Sequence, residues 1–529
     1  MRAGVWSRRA AWPLAAAAGL AQAASLALPG RGAPLWWLQI ASLALLCALL
    51  APRVSWRRAA ALGGCFATSW LVGSFWWLFI SMHTYGGLAA PLALLAVLAL
   101  ALALACYYAV ACGLFSALAP ANPAWRALLF AALWLLAELA RGQWWTGFPW
   151  GAGGYAQVDG PLAPLARWVG VYGVGALAAL LAMGLAQLRG RHVRQPRAWL
   201  AAAGMALLLA GAAWQRERAL SAGDAQALAP LPVALLQGNI PQDEKFQPGS
   251  GVPQALAWYG QRLQRETAAL VVAPETALPV LPGQLPAGWL AAASARYRQG
   301  AQALLVGVPL GDGRRGYTNS AWGFAPGLDP PYRYDKAHLV PFGEFIPPLF
   351  RWFTEMLQIP LANFRRGARV QPPMAWAGQR LAPNICYEDL FGEELAAQFV
   401  DAASAPTVLV NLSNIAWFGD SIAVDQHLAI SRMRALELER PMLRATNTGA
   451  TAIIDHRARV QALLAPATRA VLHGEVAGRA GAVTPYAAWA GRWGLAPLWA
   501  LGLAALAGAL WRARRCRVRA LAAGAGDAG

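Results

Sequence analysis

Three polar side chains stand at the ends of apolar runs, and together they make a working set for acyl chemistry. Glu275 lies in Val271-Val-Ala-Pro-Glu-Thr-Ala-Leu-Pro279, Lys336 in Tyr332-Arg-Tyr-Asp-Lys-Ala-His-Leu-Val-Pro-Phe-Gly-Glu344, and Cys386 in Ala382-Pro-Asn-Ile-Cys-Tyr-Glu-Asp389. Of the six cysteines, Cys47, Cys65, Cys106 and Cys112 sit in long apolar runs and Cys516 in a basic tail, so Cys386 has no disulfide partner in the polar part of the chain. A lone thiol there is a candidate nucleophile; the competing reading is a small buried core residue. A thiolate attacks an acyl carbon far better than a thiol. A glutamate can take the thiol proton and return it to a leaving group. An ammonium can stabilise thiolate and oxyanion, with the backbone N–H of Tyr387 as a second oxyanion donor. The scheme needs no histidine, and the six histidines show no metal-ligand spacing, so no metal site or cofactor is expected.

The chain uses arginine 42 times and lysine only twice, at Lys245 and Lys336. A compact ammonium is required where the broad guanidinium fork does not fit, which marks Lys336. Lys245 reads instead as a cation on a solvated face. Glu275, directly after an apolar run and bracketed by prolines, reads as a rigidly held strand-end carboxylate or as a turn acid. Glu388 and Asp389 also admit a reading as solvated or helix-capping acids.

These residues need a scaffold. Charged residues make up only 13% of the 529, about half the usual share, which points to a membrane protein. The net charge of +19 is not a nucleic-acid footprint. Residues 221–480 carry 22 basic against 21 acidic side chains, and the other 22 basic residues flank apolar segments. Apolar runs recur at about 10–29, 35–51, 60–82, 88–118, 124–140, 161–188 and 198–214, with an eighth near 490–511, each close to the ~20 residues that cross a bilayer. The first run, ending near Ala21-Gln-Ala23, also admits a cleaved signal peptide without altering downstream topology. Sixteen arginines fall on alternate connections, against Arg31, Arg141 and Arg167 on the opposite ones. By the positive-inside rule both termini are cytoplasmic and the large polar segment lies outside.

That segment reads as α/β. Strand-like runs at Leu231–Gln237, Leu270–Ala273, 303–308, 381–385, 407–411 and 451–454 alternate with helical patterns at 254–269 and 425–439. The expected domains are a membrane domain over 1–215 with about seven spans, an outer catalytic domain over 221–480, a transmembrane helix over 488–512 and a basic cytoplasmic tail over 513–529.

Pro274-Glu275, Tyr334-Asp-Lys336 and Cys386-Tyr-Glu388 resemble the Glu–Lys–Cys triad of the nitrilase superfamily. Placed after seven spans, they resemble the apolipoprotein N-acyltransferase family of Gram-negative bacteria. Gln237-Gly-Asn-Ile-Pro-Gln242, Ala416-Trp-Phe-Gly-Asp-Ser421, Arg432-Met-Arg-Ala-Leu-Glu437, Thr446-Asn-Thr-Gly449 and Thr146-Gly-Phe-Pro-Trp150 match in order, so the likeness covers nearly the whole chain. The resemblance implies a polytopic α-helical membrane domain plus a nitrilase-like αββα sandwich. It implies transfer of an acyl chain from a phospholipid, typically phosphatidylethanolamine, to the α-amine of an N-terminal diacylglyceryl-cysteine, through a Cys386 thioester and by ping-pong kinetics. It implies a monomer in the bacterial inner membrane with a periplasmic catalytic domain. It also implies supporting or substrate-binding roles for Glu344, Tyr387, Glu388, Phe246, Asn414, Trp417 and Phe418. From the residues alone, Glu344 is expected to orient Lys336. The chain departs from the family at Phe246, where tryptophan is frequent, and at Ile415, where an aspartate commonly follows Asn414.

Three expectations concern the membrane. The aromatic stretch 345–361 reads as an arm dipping into the interface, or as core. Trp144, Trp145, Phe148 and Trp150 read as interfacial anchors, and Glu138 as paired with Arg141 or facing a cavity. The rival functions are a membrane-tethered amidase or nitrile hydrolase, with water in place of the amine, and a transporter with an inactive outer domain. The few ionisable residues in the apolar runs weigh against transport.

Overall fold

The computed structural model describes residues 9–30, 32–50, 54–188, 196–224, 227–312, 316–346 and 364–526. Residues 347–361 of the expected interfacial arm lie outside these. The chain forms two compact units: one comprises Met1–Trp76, Leu94–Trp214 and Leu495–Gly529, the other Trp77–Ala93 and Gln215–Gly494.

The first unit is helical. Each of the seven apolar runs before residue 215 contains an α-helix: Ala11–Leu26, Trp36–Leu49, Trp56–Phe75, Ala90–Leu118, Pro123–Gln143, Ala166–Gln187 and Pro196–Asp224. Among the described residues, four helices are long and apolar enough to cross a membrane: Ala90–Leu118, Pro123–Thr146, Ala163–Gln187 and Ala496–Cys516. Small residues let helices approach closely. A Cβ on Gly19 would stand 2.1 Å from the Phe66 carbonyl oxygen, so this crossing is made by backbone contact.

Glu138 and Arg141 are both buried and lie within electrostatic reach of one another, and each also binds backbone. Arg141 donates to Tyr108 Oη at 2.8 Å and to the carbonyls of Phe148 and Trp150 at 2.7 Å each. Glu138 Oε1 accepts the Gly153 N–H at 3.1 Å. The two charges thus satisfy the backbone of an irregular loop, which unpaired would be costly in an apolar surrounding. The loop also corrects one anchor. Trp144 and Trp145 are exposed, whereas Trp150 is 2% exposed and belongs to the core, with its carbonyl accepting from Arg141.

The second unit is a two-sheet sandwich. Its strands are β1 (Leu231–Gln237), β2 (Leu270–Ala273), β3 (Ala303–Asp312), β4 (Gly316–Phe324), β5 (Tyr332–Asp335), β6 (Met374–Trp376), β7 (Gln379–Ile385), β8 (Val408–Ser413), β9 (Met442–Thr446), β10 (Ala452–Ile454), β11 (Val460–Leu463) and β12 (Ala470–Val476). One sheet runs β12-β1-β2-β3-β4-β5 and the other β11-β10-β9-β8-β7-β6. The central trios β1-β2-β3 and β7-β8-β9 are parallel.

The period of two along each strand sorts the layers. Val233, Leu235, Val272 and Leu305 face Ile385, Val410, Leu412 and Leu443 between the sheets. Their alternates Ala234, Leu236, Val271 and Val306 pack under Tyr259 and Leu263 of helix Gly251–Arg265 and Tyr297 of helix Trp289–Gln299. Burial on both faces is why these strands read as unbroken apolar runs. The segment Trp77–Ala93, expected to hold the end of a span, belongs to this unit: Trp77 Nε1 donates to Gln426 Oε1 at 3.2 Å and its ring lies 4.2 Å from that of Phe418.

Candidate active site

Each chemistry-bearing residue follows the carboxyl end of a strand. Glu275 lies two residues beyond β2, Lys336 directly beyond β5, Cys386 directly beyond β7 and Asn414 directly beyond β8. At such ends the chain has left the sheet's hydrogen bonding, so backbone and side chain can turn toward a ligand while the strand holds them rigid.

The structure brings Glu275, Lys336 and Glu344 together. Lys336 Nζ is 3.2 Å from Glu275 Oε1 and 3.0 Å from Glu344 Oε1, and Lys336 is 1% exposed. Burial would lower the lysine's pKa, but the two carboxylates more than reverse it, and Lys336 stays protonated. Glu344 is itself fixed, its Oε2 accepting the Val340 N–H at 2.8 Å, which fits its expected orienting role. Cys386 lies within electrostatic reach of both Glu275 and Lys336. Burial and then the Glu275 charge push its thiol up to about 12, while Lys336 and the Asn414 N–H pull it down. The resting sulfur is therefore a thiol at neutral pH.

Asn414 contributes through its backbone, its N–H donating to Glu275 Oε2 at 2.9 Å. Its side chain bonds Gln242 at 2.9 Å and Asn447 at 3.2 Å, joining the loop after β1 to the Thr446-Asn-Thr-Gly449 turn. Glu388 and Asp389 are both buried, which corrects the solvated reading. Glu388 staples two loops together. It accepts N–H groups from Ala337 at 2.7 Å, His338 at 3.2 Å and Ile385 at 2.7 Å, and the Tyr334 hydroxyl at 2.9 Å. Burial raises its carboxyl to about 7 against the pull of these donors. The Tyr387 ring packs against His338 and Phe391 at 5.7 and 5.3 Å between centroids.

The expected aromatic positions divide. Phe418 and Cys386 pack on the same small cluster of Ile415, Val424 and Ala450. Ile415, where the family resemblance anticipates an acid, is fully buried there. Phe246 and Trp417 are exposed, and among the described residues nothing bonds them to the triad. Trp417 instead lies edge-on to Tyr85 at 6.0 Å.

Three contributors escape the sequence reading. Asn319 in β4 donates from Nδ2 to both Glu275 Oε1 and Glu344 Oε1, at 2.7 Å each, and so spaces the two acids around Lys336. β4 carries Thr318, Asn319 and Ser320 in succession, so nothing in the sequence sets the asparagine apart. Gly307 in β3 is the second. A Cβ there would stand 2.3 Å from the Pro274 carbonyl oxygen and 2.6 Å from Glu275 Cα. Gly307→Ala must therefore push Glu275 away from Lys336. Turnover is expected to fall about 100-fold, from a displacement near 1 Å, while thermal unfolding shows a loss of about 1–3 kcal/mol.

Lys245 is the third, and it corrects the solvated-face expectation. It is 1% exposed, and its Nζ donates to the Glu275 carbonyl at 3.1 Å. The loop after β1 folds back over the sheet end and carries the lysine inward. Burial pulls its pKa down to about 7, with Glu275 and Cys386 opposing. The folded value lies below the unfolded one, so between about pH 7 and the ordinary lysine range the unfolded chain holds the extra proton. Stability contributed by this position therefore rises with pH across that window and is lowest below about pH 7. Lys245→Met is expected to remove this slope, on the order of a few kcal/mol, in denaturant titrations run from pH 6 to 10.

The family model for the apolipoprotein N-acyltransferase N-terminal domain matches residues 18–184, and that for carbon-nitrogen hydrolase matches 232–484. The apolipoprotein N-acyltransferase of Verminephrobacter eiseniae is 62% identical over 92% of this chain and 94% of its own length. That of Ralstonia nicotianae is 48% identical over 96% of this chain and 94% of its own. A crystal structure of a carbon-nitrogen hydrolase from Helicobacter pylori superposes with a TM-score of 0.34 at 16% identity, covering 46% of this chain and 88% of that one. With relatives at this identity over nearly their whole length, and a glutamate, a lysine and a cysteine at the strand ends of its carbon-nitrogen hydrolase domain, the chain belongs to the apolipoprotein N-acyltransferase family.

Proposed function

We propose that this protein moves an acyl chain from a phospholipid, phosphatidylethanolamine foremost, to the α-amino group of an N-terminal diacylglyceryl-cysteine, through a thioester on Cys386. In the first step Cys386 Sγ attacks the ester carbonyl carbon as Glu275 takes the thiol proton. The raised pKa of the thiol makes proton removal part of the attack. Negative charge developing on the carbonyl oxygen is stabilised by Lys336 Nζ, which is already charged and held in place. The carbon–oxygen bond then breaks, Glu275 returns its proton to the glycerol oxygen, and a lysophospholipid leaves. In the second step the neutral α-amine attacks the thioester carbon and gives a proton to Glu275. The carbon–sulfur bond breaks, and that proton returns to the Cys386 sulfur.

Lys336 held between Glu275 and Glu344, beside a cysteine in electrostatic contact with it, carries the reading. Several apolar helices of spanning length support a membrane donor. The arginine bias supports an inner-membrane protein with both termini in the cytoplasm and the catalytic unit in the periplasm. A single chain carries all three reacting groups, which fits a monomer.

The test uses detergent-solubilised protein with phosphatidylethanolamine carrying a labelled acyl chain. The expected result is a hydroxylamine-sensitive label on Cys386 that moves to the amine when a synthetic diacylated lipopeptide is added. Failure to label Cys386 sinks the acyltransferase reading, and release of ammonia from simple amides would favour the amidase instead.

A further inference from the structure

Behind Cys386 lies a fully buried polar set that takes no part in the chemistry above: Asp389, His427, Ser431, Arg444 and Asn411, each 0% exposed. Its hydrogen bonds decide the histidine's tautomer. Arg444 Nη2 is 2.7 Å from His427 Nδ1, and a guanidinium only donates, so Nδ1 is the acceptor and the ring proton sits on Nε2. His427 Nε2 faces two acceptors, Asp389 Oδ1 at 2.9 Å and the Cys386 carbonyl oxygen at 3.3 Å. Asn411 Nδ2 reaches the same carbonyl at 3.4 Å while bonding Asn384 Oδ1 at 2.7 Å.

The rest of the set holds the ring in place. Ser431 donates to Asp389 Oδ2 at 2.5 Å and accepts from Arg444 Nη1 at 2.7 Å, and Arg444 Nε donates to the Ala450 carbonyl at 3.0 Å. The charges of Arg444 and Asp389 balance, with Nη1 and Oδ2 3.7 Å apart. Burial, and then Arg444, lower the His427 pKa, in keeping with a neutral ring. The held carbonyl matters because Cys386 has a φ of +51°, a left-handed conformation that costs a non-glycine residue about 1–2 kcal/mol and persists only where its surroundings impose it.

We infer that His427 is a positioning residue: its Nε2–H, aimed by Arg444 and Asp389, grips the Cys386 carbonyl and keeps the nucleophile in its left-handed turn, with Asn411 as a second grip. The inference rests on Cys386 being the nucleophile. Relaxing the turn rotates the sulfur away from Glu275 and Lys336 without touching the lipid, so kcat and not KM carries the loss.

The experiment compares His427→Phe, which removes the donor, with His427→Gln, which keeps an amide N–H near the Nε2 position. It measures kcat and KM for the phospholipid, the alkylation rate of Cys386 by iodoacetamide, and the folded fraction by thermal unfolding. The Phe variant is expected to lose about 100-fold in kcat and in alkylation alike with KM unchanged, and the Gln variant about tenfold or less. Either variant that folds decides the matter. The inference is overturned if neither quantity falls, if kcat falls without alkylation, if both fall only as far as the folded fraction, or if neither variant folds. Failure of wild-type Cys386 to take an acyl group would sink the nucleophile reading instead, and that is read in the labelling assay without any variant.

Discussion

Cys386→Ala should abolish acyl transfer, with residual turnover at least about 10⁴-fold below wild type. The sulfur forms the covalent bond, and among the described residues no other nucleophile shares Glu275 and Lys336, so nothing substitutes for it. The fold should survive. Cys386 is only partly buried, and its side chain packs at the edge of the core rather than filling it. Loss of the thiol removes little apolar contact, and alanine tolerates the left-handed φ of +51° about as poorly as cysteine does. Unfolding temperature and membrane yield are therefore expected to match wild type, with no labelled thioester on the protein. Turnover in this variant within tenfold of wild type would refute the assignment of Cys386.

Lys336→Met should damage both activity and stability. Activity falls because the point charge beside the developing oxyanion is gone, a loss of about 10²–10³ in kcat. Stability falls because Glu275 and Glu344, each bonded to Nζ in the wild type, are left as uncompensated carboxylates in a buried site, at a cost of about 3–5 kcal/mol. Lys336→Arg separates the two effects. It keeps the charge, and so much of the stability, but the planar fork does not fit between two carboxylates arranged around one small ammonium, and kcat should still fall more than tenfold. Steady-state kinetics with the labelled donor, paired with denaturant titration of both variants, gives the readout. An arginine variant with near-normal turnover would remove Lys336 from the oxyanion role.

Much of this site was legible because rarity is informative. Two lysines among 42 arginines, and one cysteine outside the apolar runs and the tail, singled out Lys336 and Cys386 before any geometry was known. The strands they follow were legible where both faces are buried, as in β1, β2 and β7. Strands such as β4, β5, β11 and β12 were not, because polar residues break their apolar pattern. Lys245 shows the limit most directly. Its neighbours Asp243, Glu244 and Phe246 are exposed, and only the fold of that loop turns the lysine inward. Asn319 and Gly307 were equally silent, since what each does depends on an acid more than 30 residues distant in the chain.

The order of residues alone determined the class of the molecule: a chain of apolar helices carrying an α/β domain, with a carboxylate, an ammonium and a thiol at strand ends. Those are local properties, set by composition, period and charge bias. Tertiary structure alone decided which acid stands on which side of Lys336, that burial pushes the Cys386 thiol up, that Lys245 and Asp389 are buried, and which tautomer His427 adopts. Each of these is set by desolvation and by hydrogen bonds between groups far apart in sequence, and neither exists until the two sheets close on one another.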